Sequence, residues 1–389
     1  MKRLIITVFC FIALSSVSHF VDASNAAQSV SPTPFELCFN ADPTTHDYWP
    51  ANLVPQGNSS DPYCITQAQD IQTSANSVFE NDVSYAVYET LVHVRPNASL
   101  TTPPTLKVSM AYDPSGGNCA ATAAMSPFTD KNGLTYEVPG TLTLFTTGND
   151  DIARSSNPFN ADILLQCSKK SLANFWFDPR PWDRNGDNAE EPGPADQNKG
   201  DLVGMQLHEV EHGLGFESNR DPQSGSYDGN LPTKFDTFLR QYISYYPAYN
   251  NVMIYYPFEQ SFLVDDTNQT FFTGQNALKY LEKQSAPQIN TLPGIPIASI
   301  ATSEPLATQN FSHIGVIKTT LSYDQNNVFD QDCSSTPYRE GIYGIFGNDL
   351  MTMCYIPIFN QNYGIKNNRM NISDLDYAVL KDLGYNIVI

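Results

Sequence analysis

The sequence predicts an α+β fold built as a twisted mixed sheet, with one helix carrying a candidate active site and a loop-rich C-terminal part. Three observations predict it. Short β-branched or apolar runs bounded by Gly, Pro and Asn fill much of the first half. A helical pattern that stops on glycine, His208–Gly213, follows them. The chain closes on a strongly capped helix between Ser373 and Gly384.

Taken in order, Met1-Lys2-Arg3, the apolar run Leu4–Leu14 and the small, polar stretch up to Ala23 read as a secretory signal peptide, residues 1–23. The apolar run is shorter than the roughly 20 residues a membrane span needs. The mature chain is therefore expected without a membrane anchor, secreted, or periplasmic in a bacterium. Residues 24–64 are rich in Pro, Ser, Asn and Asp and read as a lead segment or propeptide tied down by cysteines. Residues 65–389 are expected to form the main domain, with an N-terminal subdomain to about residue 216 and a C-terminal subdomain over 217–389.

Within that domain, Ile71, Ala75, Val78 and Phe79 suit an amphipathic helix over Ile65–Asn81. Strands are expected at Tyr85–Tyr88, Thr105–Met110, Gly140–Phe145 and Ala161–Leu165. Asp201 is the expected N-cap of the next helix, with Leu202, Met205, Leu207 and Val210 as its apolar face and Gly213 and Gly215 as its stop. Gly274–Gln284 reads as a helix turning Ala277, Leu278 and Leu281 to a core. The last helix has Ile372 as staple, Ser373 as N-cap, Asp376 three residues on and Gly384 as its end.

A formal charge of −20 argues against nucleic acid or an anionic membrane as partner. Of seven cysteines, Cys10 lies in the signal segment. Proximity favours Cys38 with Cys64, Cys119 with Cys167 and Cys333 with Cys354, among about 15 connectivities that six cysteines allow. Asn-x-Ser/Thr sequons occur at Asn58, Asn97, Asn268, Asn310 and Asn371.

The most informative segment is His208-Glu209-Val210-Glu211-His212-Gly213-Leu214-Gly215-Phe216, in a chain with only six histidines. On a helix, residues four apart share a face, so both imidazoles can reach one zinc ion at roughly 2.0–2.1 Å. Glu209, beside the metal, can take a proton from a zinc-bound water and pass it to a leaving amine, which implies hydrolysis of a protein or peptide substrate. Glu211, at an x position, is expected to be solvated. Catalytic zinc needs a third protein ligand. Glu217, Asp221 and Asp236 are carboxylate candidates, and Glu217 or Asp236 would make the site thermolysin-like. Asp183, Asn185 and Asp187 have the alternate oxygen spacing of a calcium loop, although no glutamate closes it at the twelfth position and a polar surface turn fits as well.

Farther along stand Phe311-Ser312-His313-Ile314 and Asn348-Asp349-Leu350-Met351-Thr352. With the His-Glu-x-x-His-Gly-Leu-Gly-Phe helix, this pattern resembles the leishmanolysin branch of the metzincin metallopeptidases over roughly residues 100–389. The resemblance implies a metzincin-like fold in which His208, His212 and His313 bind zinc, Glu209 is the general base and Met351 floors the site. Ser218 stands where shorter metzincin patterns put the third ligand, which the resemblance moves to His313. It further implies that Asn160-Ala161-Asp162-Ile163 belongs to the edge strand above the cleft, where substrate would pair near Asp162–Leu165. Ile314 replaces the family's tryptophan, and Met353, followed by Tyr355, is an alternative turn methionine. A different class of reading stays open, an exported metal-binding or adhesive protein without turnover.

Overall fold

The computed structural model describes residues 33–42, 48–56, 62–66, 75, 77–113, 119–149, 159–183, 199–221, 224–227, 229–244, 253–256, 258–259, 262, 268–283, 293–297, 312 and 372–388. Strands β1 (Phe35–Asn40) and β2 (Tyr63–Thr66) precede helix α1 (Val78–His93) and the short β3 (Val94–Arg95). Strands β4 (Leu106–Tyr112), β5 (Ala120–Ala123), β6 (Met125–Thr129) and β7 (Thr135–Pro139) lead into helix α2 (Gly140–Thr147). Then come β8 (Ile163–Cys167), α3 (Lys169–Leu172), β9 (Phe175–Trp176), β10 (Gly200–Asp201) and α4 (Leu202–Gly213). The C-terminal part holds β11 (Leu239–Ser244), β12 (Met253–Tyr256), β13 (Asn268–Phe272), α5 (Gln275–Glu282), β14 (Ile295–Ile297), α6 (Asp374–Leu383) and β15 (Asn386–Ile387).

The fold is α+β with a mixed sheet in the order β2-β1-β4-β8-β5. The three inner strands run parallel, and both outer strands, β2 and β5, are antiparallel to their neighbours. Parallel pairs need crossover connections, which set helices against the sheet. Accordingly α1 packs on α4, and α4 lies against β5 and β8. Phe35, Leu37, Phe39, Val108, Met110, Ile163 and Leu165 of the sheet are buried in one core with Val83, Val87 and Leu91 of α1 and Leu202 and Val210 of α4. A second sheet, β12-β11-β13-β14, is antiparallel throughout.

Three expectations for helices are met. Asp201 caps α4 by accepting from the Gly204 N–H at 3.2 Å. Helix α5 buries Ala277 and Leu281. Ser373 and Asp376 form a reciprocal capping box at α6, and Gly384 ends that helix at φ 112°.

Other expectations are corrected. Of the helix placed over Ile65–Asn81, Ile65 and Thr66 belong to β2, most of residues 67–76 lie outside the described residues, and α1 starts at Val78, with Ser77 as N-cap accepting from the Glu80 N–H. Tyr85–Tyr88, expected as a strand, lies inside that helix, where Val83, Ala86, Val87, Thr90 and Leu91 are buried at helical spacing. Gly140–Phe145 is likewise helical, closed by Gly148 in the left-handed region at φ 74°. Residues 35–40, read from sequence as part of a lead segment or propeptide with little periodicity, form an inner strand between β2 and β4. Strand β8, expected as the sheet's edge, is paired on both sides, and among the described residues β5 is the outer strand next to it.

Disulfides join Cys38 to Cys64 and Cys119 to Cys167, as proximity predicted. The first ties β1 to β2 at register-paired positions, and the second ties the start of β5 to the end of β8. Cys333 and Cys354, the signal segment and most of the candidate calcium loop, Asn185 and Asp187 included, lie outside the described residues. No helix among the described residues is long and apolar enough to cross a membrane.

Candidate active site

Helix α4 is buried along almost its whole length, so its polar side chains open onto protein rather than bulk water. His208, Glu209 and His212 are 7%, 6% and 8% exposed. The helix ends in a Schellman turn: the Gly215 N–H reaches the His212 carbonyl at 2.8 Å and the Phe216 N–H reaches the Glu211 carbonyl at 3.2 Å. Gly215 sits at φ 93°, with Pro139 so close that an added Cβ would lie 2.7 Å from its ring. Gly213 is required for a different reason, since its Cβ would lie 2.4 Å from Ile163 of β8. Two glycines therefore do separate work, one permitting close approach to the sheet and the other the reversal of the chain.

That reversal brings the Phe216 carbonyl back over the helix, where it accepts from His212 Nδ1–H at 2.7 Å. The contact fixes the tautomer and leaves the Nε2 lone pair available. His212 Nε2 lies 3.1 Å from His208 Nε2, with the rings at 86° to each other. Burial, with His208 beside it, lowers the His212 pKa to about 3, so this imidazole is neutral at physiological pH. Two imidazole nitrogens converging on one point suit a shared Lewis acid. Ligands about 2.05 Å from one ion and 3.1 Å apart subtend about 98° at it, within reach of a distorted tetrahedral zinc site.

Glu209 occupies the same buried region, and desolvation raises its pKa to about 8, opposed by a hydrogen bond from the Ala121 backbone. Ala121 lies on the edge strand β5, so a backbone group of the sheet edge touches the candidate base. Positive charge placed between the two imidazoles would favour the carboxylate form. The residue set thus fits a cationic metal: two imidazole nitrogen donors with an acid beside them. Zn²⁺ is among the transition-metal ions that imidazole donors suit.

Comparison with family models, curated proteins and solved structures finds no match to this chain.

The carboxylates considered as third ligands stand elsewhere. Among the described residues, no His, Cys, Asp or Glu joins His208 and His212 in a three-member cluster; the sole such cluster is Glu36 with the disulfide-bonded Cys38 and Cys64. Asp236 is fully buried and accepts from Ser218 Oγ, the Asn219 N–H and the Thr233 N–H, which makes it the clamp of the loop after α4. Glu217 and Asp221 are in no cluster with the histidines either. Glu211, expected to be solvated, is fully buried. It raises the pKa of Tyr377, after desolvation, from α6. The sequence pattern of α4 says nothing about that second face, because periodicity cannot tell a helix buried on all sides from one with a wet side.

His313, Met351 and Met353 lie outside the described residues. Ser312 is described: it is fully buried, and its Oγ accepts from the Ser218 N–H at 2.8 Å, just past the glycine stop of α4. Three contributors were not anticipated: Phe216 through its carbonyl, Ala121 through its backbone and Asp236 as a clamp. For Phe216 a signal did exist, since Leu-Gly-Phe after a helix has the apolar residue that follows the glycine of a Schellman motif.

Proposed function

We propose that this protein is an exported, zinc-dependent endopeptidase of the leishmanolysin-like metzincin kind. The observation that carries the reading is the convergence of His208 Nε2 and His212 Nε2 at 3.1 Å beside a buried Glu209. His208 and His212 would hold the metal through Nε2, with His313 as third ligand and Met351 beneath. Support for His313 comes from Ser312, its neighbour in the chain, docked on Ser218 beside the end of α4. Bound zinc supplies Lewis acidity, polarising the scissile carbonyl and making water a stronger acid.

The chain's own groups do the rest. Glu209 takes a proton from the attacking water and hands it to the departing amine nitrogen. Burial of the site keeps that proton from exchanging with bulk solvent. The outer edge of β5, which has a strand partner on one side only among the described residues, offers backbone groups to an extended peptide, in place of the β8 segment expected from sequence. Two disulfides and the signal segment support export.

The test measures zinc content and cleavage of casein and a peptide library by the purified full chain. Stoichiometric zinc with cleavage, and loss of cleavage but not zinc in Glu209→Gln, is the expected outcome. A protein that stays free of zinc after supplementation ends the proposal. Zinc without cleavage points instead to an exported metal-binding or adhesive protein. A His313→Ala variant that keeps stoichiometric zinc removes His313 from the ligand set.

A further inference from the structure

Of the sequons in the chain, Asn97-Ala98-Ser99 has a conformation suited to modification. Asn97 is exposed in the loop between β3 and β4. Its backbone is pinned at both ends: the N–H donates to the Phe145 carbonyl at 2.8 Å and the carbonyl accepts from the Leu100 N–H at 3.0 Å. Its side-chain Oδ1 accepts from the Ser99 N–H at 3.0 Å. This Asx turn brings residue 99 back beside the amide of residue 97 and turns Nδ2 away from the backbone.

Beside it lies an open groove of about 370 Å³, which Asn97 itself helps to line. Arg95, Thr146 and Asn386 line it with polar groups, while Phe145 and Tyr385 behind them are buried, 1% and 4% exposed. A size of this order holds a small ligand. A wall of exposed polar groups is the chemistry that hydrogen-bonds the hydroxylated rim of a sugar.

We propose that Asn97 is an N-glycosylation acceptor and that the first N-acetylhexosamine of the glycan rests in this groove. The donor is a lipid-diphosphate-linked oligosaccharide. The amide nitrogen forms a bond to the anomeric carbon, the C–O bond to the diphosphate breaks with its electron pair leaving on oxygen, and the amide gives up one proton. The inference goes beyond peptidase activity and rests on export alone, so zinc or turnover does not bear on it.

The experiment expresses the full chain in a eukaryotic secretory host, with the natural leader and, separately, with the host's own leader. Failure of the natural leader alone overturns export by this signal, not the acceptor. The material secreted with either leader is mapped for glycopeptides. The expected result is a glycan on Asn97 that is lost in Asn97→Gln and Ser99→Ala and retained in Ser99→Thr. An endoglycosidase acting next to the first sugar should work at least an order of magnitude more slowly on native than on unfolded protein, since the groove shields that linkage. An unmodified Asn97 in secreted protein overturns the proposal, and equal native and unfolded rates overturn its placement in the groove.

Discussion

His212 Nδ1 donates to the carbonyl of Phe216 at 2.7 Å, four residues ahead in the chain and on the far side of the glycine stop. The bond exists because Gly215 adopts φ 93° and turns the chain back on α4. The glycine therefore decides which imidazole nitrogen of His212 faces the candidate metal. Helix termination and the His212 tautomer are one structural event here.

Replacing Gly215 with alanine should break both. A left-handed conformation with a Cβ, pressed 2.7 Å from Pro139, costs about 1–3 kcal/mol. Loss of the Phe216 contact should weaken zinc binding about 10–100-fold. Chemical denaturation and a zinc competition titration read the two effects. An alanine variant with native zinc affinity would separate the turn from the site.

Gly213 offers a cleaner test of packing. Gly213→Ala drives a methyl to 2.4 Å from Ile163 and should cost about 1–3 kcal/mol. Shortening Ile163 to alanine in the same chain removes Cγ1, Cγ2 and Cδ1, the three atoms that the methyl would meet, and should recover part of that loss, a coupling read by a double-mutant cycle. Simple additivity would mean that the contact does not limit the site.

Glu209→Gln should lower kcat/KM on the order of 10²–10⁴-fold while leaving zinc bound, as expected for a proton carrier that is not a ligand. Matching losses of metal and activity would instead make Glu209 part of the coordination shell.

Glu217 carries a pH signature. Burial, with Asp236 and Glu137 beside it, raises its pKa from 4.5 to about 7. A carboxyl whose folded pKa is raised binds its proton more tightly when folded. Its favourable contribution is complete below pH 4.5 and disappears as pH climbs through about 7. At about 1.4 kcal/mol per unit the swing has an upper limit of about 3 kcal/mol. Glu217→Gln should flatten the fall in stability between those pH values, measured by denaturant midpoints, and an unchanged slope would refute the assignment.

The Cys119–Cys167 disulfide closes a separation of 48 residues, for which loop entropy predicts a contribution of about 4 kcal/mol. Cys119 immediately precedes β5, and Cys167 Sγ accepts from Gln206 Nε2 of α4 at 3.3 Å. Replacing both cysteines with serine should lower the thermal midpoint and also reduce turnover, because β5 carries the backbone that touches Glu209. Lower stability with full turnover at low temperature would limit the bridge to a structural role.

Local signals were legible wherever a short pattern specifies its own geometry. Asp201, Ser373, Asp376 and Gly384 were readable as caps, because a cap is satisfied by backbone groups two or three residues away. The pair His208 and His212 was readable because four residues on a helix return to the same face. Tyr85–Tyr88 and Gly140–Phe145 were misread, since β-branched and aromatic content is a weak preference that packing overrides. The true signals there, Ser77 before Glu80 and Gly148 after Thr147, lie at the ends of the helices.

By itself the sequence determined the helix that carries His208 and His212, with its cap and stop set by near neighbours, and it also gave the α+β class and two cysteine pairs, Cys38–Cys64 and Cys119–Cys167. Only the tertiary structure decided that β5 lies outside β8 in the sheet, that residues 35–40 are an inner strand, that Glu211 is buried and that Asp236 clamps a loop. Each of these depends on which distant segment lies alongside. Strand order and burial arise from contacts between parts of the chain many residues apart, and no local pattern encodes them.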